Sequence, residues 1–218
     1  MSPEYPLTVA VEQRMRQEHV PFEYDVHDED VLTHLPNRRA MNDALEHALS
    51  DERLIGNFAV VVGDLNDFKE GVNDQYGHDE GDRYLENAAG ALKDSIRPED
   101  VASLVTRYGG DEFVLLLSGV HDTSVLNQII DRLHANLDEI GIPNAMGGKV
   151  HQPGETAAQL LDAADKLMYA HKTKQRIENL SPEQIRAYRE IGEIAERADI
   201  SLRGIAATIA ALRAVIGE

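Results

Sequence analysis

Two glycines followed by two carboxylates, Gly109-Gly110-Asp111-Glu112, separate two apolar runs, and this junction limits what the chain can fold into more than any other feature. Residues 101–108 on one side and 113–117 on the other are strand-like, so the glycine pair reads as the turn of a β-hairpin, where positive φ carries no Cβ penalty. The Asp111 and Glu112 carboxylates then project from a rigid tip. With no Cβ on Gly109 or Gly110, a triphosphate can approach the backbone closely, and clustered hard oxygens suit Mg²⁺ rather than zinc or copper.

A second apolar run, Phe58-Ala59-Val60-Val61-Val62-Gly63, predicts a buried strand that delivers Asp64 at its C-terminal end, where ligands of α/β sheets bind. Asp64 and Asp111 are therefore expected on neighbouring strand ends. Apolar spacing predicts a helix over 37–49 (Met41, Leu45 and Leu49 inward) and another over 81–92. A third is expected over 123–140 (Val125, Ile129, Ile130, Leu133 and Leu137 on one face) and a fourth over 155–174 (Leu160, Leu161, Ala164, Leu167 and Met168 inward), with a strand over 144–151 between them. Such alternation implies an α/β class fold, a sheet covered by helices.

The 218 residues, 42% of them hydrophobic, suffice for one catalytic domain with appendages. No apolar run approaches the ~20 residues a bilayer demands, and Met1-Ser2-Pro3-Glu4-Tyr5 lacks a signal peptide's features, so a cytoplasmic location and no membrane partner are expected. The absence of cysteine removes disulfides, thiolate metal sites and a Cys nucleophile. A net charge of −18 repels nucleic-acid backbone and argues against that partner. An anionic nucleotide would have to be met by Mg²⁺ and a few placed cations.

In ordered motifs across residues 31–176 the chain resembles the GGDEF family of diguanylate cyclases. The opening motif is Leu32-Thr33-His34-Leu35-Pro36-Asn37-Arg38-Arg39. Next comes Asp64-Leu65-Asn66-Asp67-Phe68-Lys69, then Asn73-Asp74-Gln75-Tyr76-Gly77-His78-Asp79-Glu80-Gly81-Asp82. The signature turn follows, and Ala164-Asp165-Lys166-Leu167-Met168-Tyr169-Ala170-His171-Lys172 closes the series with Arg176 beyond it. The resemblance implies a nucleotidyl-cyclase or palm-like βαββαβ core. It implies that the Asp64 side chain, the Leu65 carbonyl and Asp111 hold Mg²⁺ or Mn²⁺, and that Glu112 completes the acidic site. Asn73 and Asp82 would read guanine, while Lys69, Lys172 and Arg176 would contact phosphates. The reaction implied joins two GTP molecules into cyclic di-GMP with release of pyrophosphate, Asp111 or Glu112 taking the proton, in a homodimer, because each domain supplies one nucleotide site.

The chain departs from the family pattern in four places. His34 stands where glycine is common, and three residues, Glu70-Gly71-Val72, separate Lys69 from Asn73 where two are usual. The Arg97-Pro98-Glu99-Asp100 string has the pattern of a product-inhibition site at an unusual distance from Arg107, and the segment 141–154 is short. Residues 1–30 read as a lead-in with a short helix over 12–19. Residues 177–218 read as a helical extension: Ser181-Pro182-Glu183-Gln184 is a helix start, and Ile205, Ile209, Leu212 and Ile216 form a seam seeking a partner. Alternatives to the cyclase reading are a relative making another cyclic dinucleotide and a non-catalytic GTP-binding module. A transcription factor is disfavoured by the sparse cations, Arg203 and Arg213, of the last helix.

Overall fold

In the computed structural model, residues 28–96, 103–187 and 190 are described. The chain divides into two units, Met1–Met168 and Tyr169–Glu218, each taken by itself. A four-stranded sheet organises the first: β1 (Phe58–Leu65), β2 (Ser103–Gly109), β3 (Glu112–Ser118) and β4 (Asn144–Val150) lie in the order β2-β3-β1-β4. Every pairing is antiparallel, so β1 sits between β3 and β4. The helices are α1 (Arg38–Ser50), α2 (His78–Ser95), α3 (Thr123–Glu139) and α4 (Ala157–Glu178). From β1 to β4 the order is the βαββαβ core that the resemblance implied.

Strand alternation divides the apolar residues between two faces. Phe58, Val60 and Val62 of β1 join Val114 and Leu116 of β3 in a core with Met41, Ala44 and Leu45 of α1 and Leu160, Ala164 and Met168 of α4. Ala59 and Val61 face the other way, into a core with Leu85 and Leu92 of α2 and Leu126, Ile129 and Leu133 of α3. Two expected core positions point outward: Val125 is 45% exposed and Leu167 50%. Their neighbours Leu126 and Met168, about 100° round the helix, take the inward places.

The glycines of β4 set how closely the helices approach. A Cβ on Gly147 would lie 2.5 Å from the Ala164 carbonyl oxygen and 2.6 Å from the Leu167 carbonyl carbon, so α4 rests directly on bare strand backbone. On the opposite face a Cβ on Gly148 would meet the Ile130 Cδ1 at 2.7 Å.

In the second unit, Gln184 N–H donates to the Ser181 Oγ at 3.2 Å and Ser181 N–H to the Gln184 Oε1 at 2.9 Å. This reciprocal cap opens a helix over residues 182–187, as Ser181-Pro182-Glu183-Gln184 predicted. The expected helix at 12–19, the Arg97 to Asp100 string and the seam from Ile205 to Ile216 lie outside the described residues.

Candidate active site

β1 runs two residues beyond the expected strand, so Asp64 lies within the sheet, directly opposite Glu112 in the β1–β3 register. Residues opposed in an antiparallel pair share a face with Cβ atoms about 5 Å apart, and like charges in that relation are destabilising. The next rung is closed by Leu65 N–H donating to the Asp111 carbonyl at 3.2 Å. Asp64, Asp111 and Glu112 thus meet at one end of the sheet, as their sequence positions suggested. The turn itself is narrower than expected: β2 ends at Gly109 and β3 begins at Glu112, leaving Gly110 and Asp111 at the tip. Gly110 alone of the glycine pair takes positive φ, 53°. The register slips between Arg107 and Gly109, which makes Tyr108 a bulge residue.

Two elements support this tip. Asn37 caps α1, its Oδ1 accepting from the N–H groups of Arg39 at 2.8 Å and Ala40 at 3.2 Å. The preceding residue runs beside β2, where Arg107 N–H donates to the Pro36 carbonyl at 3.0 Å. Arg107 also donates from Nε to the Gly110 carbonyl at 2.9 Å and from Nη1 to both oxygens of Asp30, at 3.0 and 3.2 Å. Arg38 stacks on the Tyr108 ring with its guanidinium carbon 4.6 Å from the centroid. Tyr108 in turn donates its hydroxyl to the Asn42 Oδ1 at 3.3 Å.

The electrostatics record the crowding. Partial burial, then the negative charges of Asp111, Asp64 and Asp165, hold the Glu112 carboxyl above the ordinary carboxylate range, with Arg38 acting in the opposite direction. Asp165 on α4 and Arg38 on α1 are site neighbours that sequence reasoning quoted without a role. Only the topology, with both helices on the Asp64 face, brings them to the turn.

The donor set is oxygen alone, without nitrogen or sulfur, and its mutual repulsion is what a divalent cation relieves. Among the described residues no three His, Asp or Glu side chains gather into a ready-made cage. Mg²⁺ commonly takes one or two carboxylates and completes its octahedron from phosphates and water, so Asp64, Asp111 and the Leu65 carbonyl fit such an ion arriving with substrate.

After β1 the chain enters a π-helical turn, Phe68–Asn73, in which the Asp74 N–H reaches back to the Lys69 carbonyl. Gly71, expected from the resemblance to be an extra residue, lies within this widened turn. Lys69 is exposed on it. A short helical stretch, Asp74–Tyr76, leads to Gly77, which caps α2 at φ 88°. α2 starts at His78, three residues before the expected start, so Asp82 lies inside the helix. Tyr76 is 70% exposed. Asn73 packs against Gly81, the residue that precedes Asp82 in the helix. Lys172 and Arg176 lie on the part of α4 that belongs to the second unit.

Comparison with known proteins points to one family and one fold. A family model described as "Diguanylate cyclase, GGDEF domain" matches residues 27–178. The chain is 35% identical over 162 residues to the diguanylate cyclase DgcS of Shewanella oneidensis, covering 72% of this chain and 53% of that protein. It is 30% identical over 157 residues to the diguanylate cyclase DosC of Escherichia coli K12, covering 67% of this chain and 33% of that protein. It thus spans about half or less of these curated relatives. Among solved structures, the GGDEF domain of DgcB from Caulobacter crescentus in complex with c-di-GMP superposes with a TM-score of 0.61 at 28% identity, covering 71% of this chain and 93% of that one. The diguanylate cyclase SiaD from Pseudomonas aeruginosa, in complex with its activator SiaC, gives 0.61 at 27%, covering 76% and 65%.

Proposed function

The chain belongs to the GGDEF family, and on that premise we propose that it is a diguanylate cyclase that joins two GTP molecules into cyclic di-GMP and releases two pyrophosphates. The observation that carries the reading is the direct opposition of Asp64 and Glu112 at the sheet end, beside Asp111. A fold that sets carboxylates against one another works against its own stability, and such local conflict marks functional sites.

Asp64, Asp111 and the Leu65 carbonyl would hold Mg²⁺ or Mn²⁺, which supplies Lewis-acid stabilisation of phosphoryl charge and lowers the pKa of the attacking hydroxyl. The protein's own part is positional. Glu112, with its raised pKa, is suited to take the proton from the 3′-hydroxyl of one GTP as that oxygen attacks the α-phosphate of the other. Gly109 and Gly110 leave room for phosphate oxygens at the backbone, and Lys69, Lys172 and Arg176 are the cations assigned to the triphosphate. The Asp82 carboxylate accepts from guanine N1–H and the exocyclic amine, and Asn73 adds a carboxamide beside it.

One such domain binds one nucleotide, so the complete reaction is assigned to a homodimer. Among the described residues no helix is long and apolar enough to cross a membrane.

Incubation with GTP, ATP or both in Mg²⁺, followed by chromatography, tests the reading. Cyclic di-GMP from GTP alone is expected. A mixed or adenine product would move the chain to another cyclic-dinucleotide synthase, and GTP bound without product would make it a binding module.

A further inference from the structure

Gly81 occupies the interior of α2, where alanine is intrinsically better by about 1 kcal/mol. Its φ lies outside the left-handed region, so conformational freedom does not explain the glycine. Space does. A Cβ at Gly81 would collide with the Asn73 Oδ1, lie 3.0 Å from the Asn73 Cγ and stand 3.3 Å from the Phe68 Cζ. The Asn73 carboxamide therefore fills the volume of the missing methyl, one residue before Asp82 in the helix.

Asn73 reaches that place from the last residue of the π-turn. In this turn the Asp74 N–H bonds to the Lys69 carbonyl across five residues rather than four, so one more residue is accommodated before Asn73. Gly71 is not itself demanding, since a Cβ there would stand 3.5 Å from the Asp67 Cβ, an ordinary contact.

We propose that Gly81 is a positioning residue for base recognition: the methyl-sized gap it leaves in α2 seats the Asn73 carboxamide beside the Asp82 carboxylate, and the π-turn delivers Asn73 to that seat. The inference rests on the cyclase reading for the identity of the base. The seat pairs a group that both donates and accepts with one that accepts two N–H groups, a combination suited to guanine and poorly suited to adenine.

A double-mutant cycle on the full chain tests it, using Gly81→Ala, Asn73→Ala and the double variant. The ligand is 3′-deoxy-GTP with Mg²⁺, which lacks the attacking hydroxyl and so reports binding without turnover. Each single variant is expected to weaken binding about tenfold, the worth of one to two hydrogen bonds, and the double variant no further. With GTP as substrate, KM should rise more than kcat falls. Thermal denaturation gives a second readout: Gly81→Ala should lower Tm in the wild-type background and lower it less in the Asn73→Ala background, where the Phe68 ring at 3.3 Å still crowds the methyl but the carboxamide no longer does. Wild-type binding by Gly81→Ala, losses that multiply in the double variant, or an equal Tm loss in both backgrounds would overturn the proposal. A wild-type chain that does not bind 3′-deoxy-GTP would overturn it too. A wild-type chain that binds 3′-deoxy-GTP but makes no product from GTP would count against the cyclase reading alone.

Discussion

Arg107 grips Asp30 through Nη1 while its Nε holds the Gly110 carbonyl, so the segment before α1 and the signature turn are clamped by one guanidinium. Burial opposes the charge on Asp30, but hydrogen bonds from the Thr33 N–H and hydroxyl, together with Arg107, outweigh it and hold the carboxyl below its ordinary range. Such a group contributes stability above the unfolded carboxyl pKa, near 4, and loses it as pH falls through the lower folded value. Asp30→Asn should cost about 1 kcal/mol at pH 7. Thermal melts should show its Tm deficit closing below about pH 4.

The sign is opposite at Glu112. Its raised pKa means that ionisation works against the fold, a penalty absent below the unfolded carboxyl pKa and complete once pH exceeds the folded value. Glu112→Gln should therefore raise Tm at pH 7 in metal-free buffer, by about 1–2 °C because the exposed carboxyl is well screened. The gain should vanish below about pH 4. Turnover of GTP should fall about 100-fold or more. A variant that is both more stable and fully active would remove the carboxylate from the chemistry.

Gly147 and Gly148 are neighbours with different tolerances. Alanine at Gly147 would strike the main chain of α4, which cannot yield without moving the helix, and about 3 kcal/mol of destabilisation is expected. At Gly148 the nearest atom is the free end of Ile130, which can rotate away, so Gly148→Ala should cost less. Urea denaturation of the two variants checks the order.

His34, which stands where the resembling family favours glycine, adopts φ 55°. That conformation strains a residue with a Cβ, and the relief on substitution is partly offset by the greater freedom of glycine in the unfolded chain. His34→Gly should stabilise by about 0.5 kcal/mol, seen as a small Tm rise with no change in GTP turnover.

Local pattern carried the strands and the acidic tip, because a run such as Phe58 to Gly63 and a Gly-Gly-Asp-Glu turn are legible within a few residues. It also carried the helix start at Ser181, whose cap is made by residues three apart. It placed the start of α2 at Gly81 rather than His78, because two glycine signals, Gly77 and Gly81, lie four residues apart and the first of them starts the helix. The Asp30–Arg107 clamp joins residues separated by 77 positions, and Asp165 meets the turn only through packing of α4, so neither leaves a trace in spacing. The π-turn that holds Gly71 depends on a backbone hydrogen-bond pattern that composition does not encode.

The strand order places the Asp64 strand between two neighbours, while β2 and β4 each have one. To release the amides of β1, either the pairing with β3 or that with β4 must open, and each is backed by a helix layer on both sides of the sheet. Hydrogen exchange should therefore be slowest along this strand, close to the limit set by global unfolding, and faster in β2. A chain that frays under heat would lose the β2 half of the hairpin, and with it the grip of Arg107, before it lost the ladder that sets Asp64 across from Glu112. Inactivation would then precede melting, and would be reversible for as long as the central rungs hold.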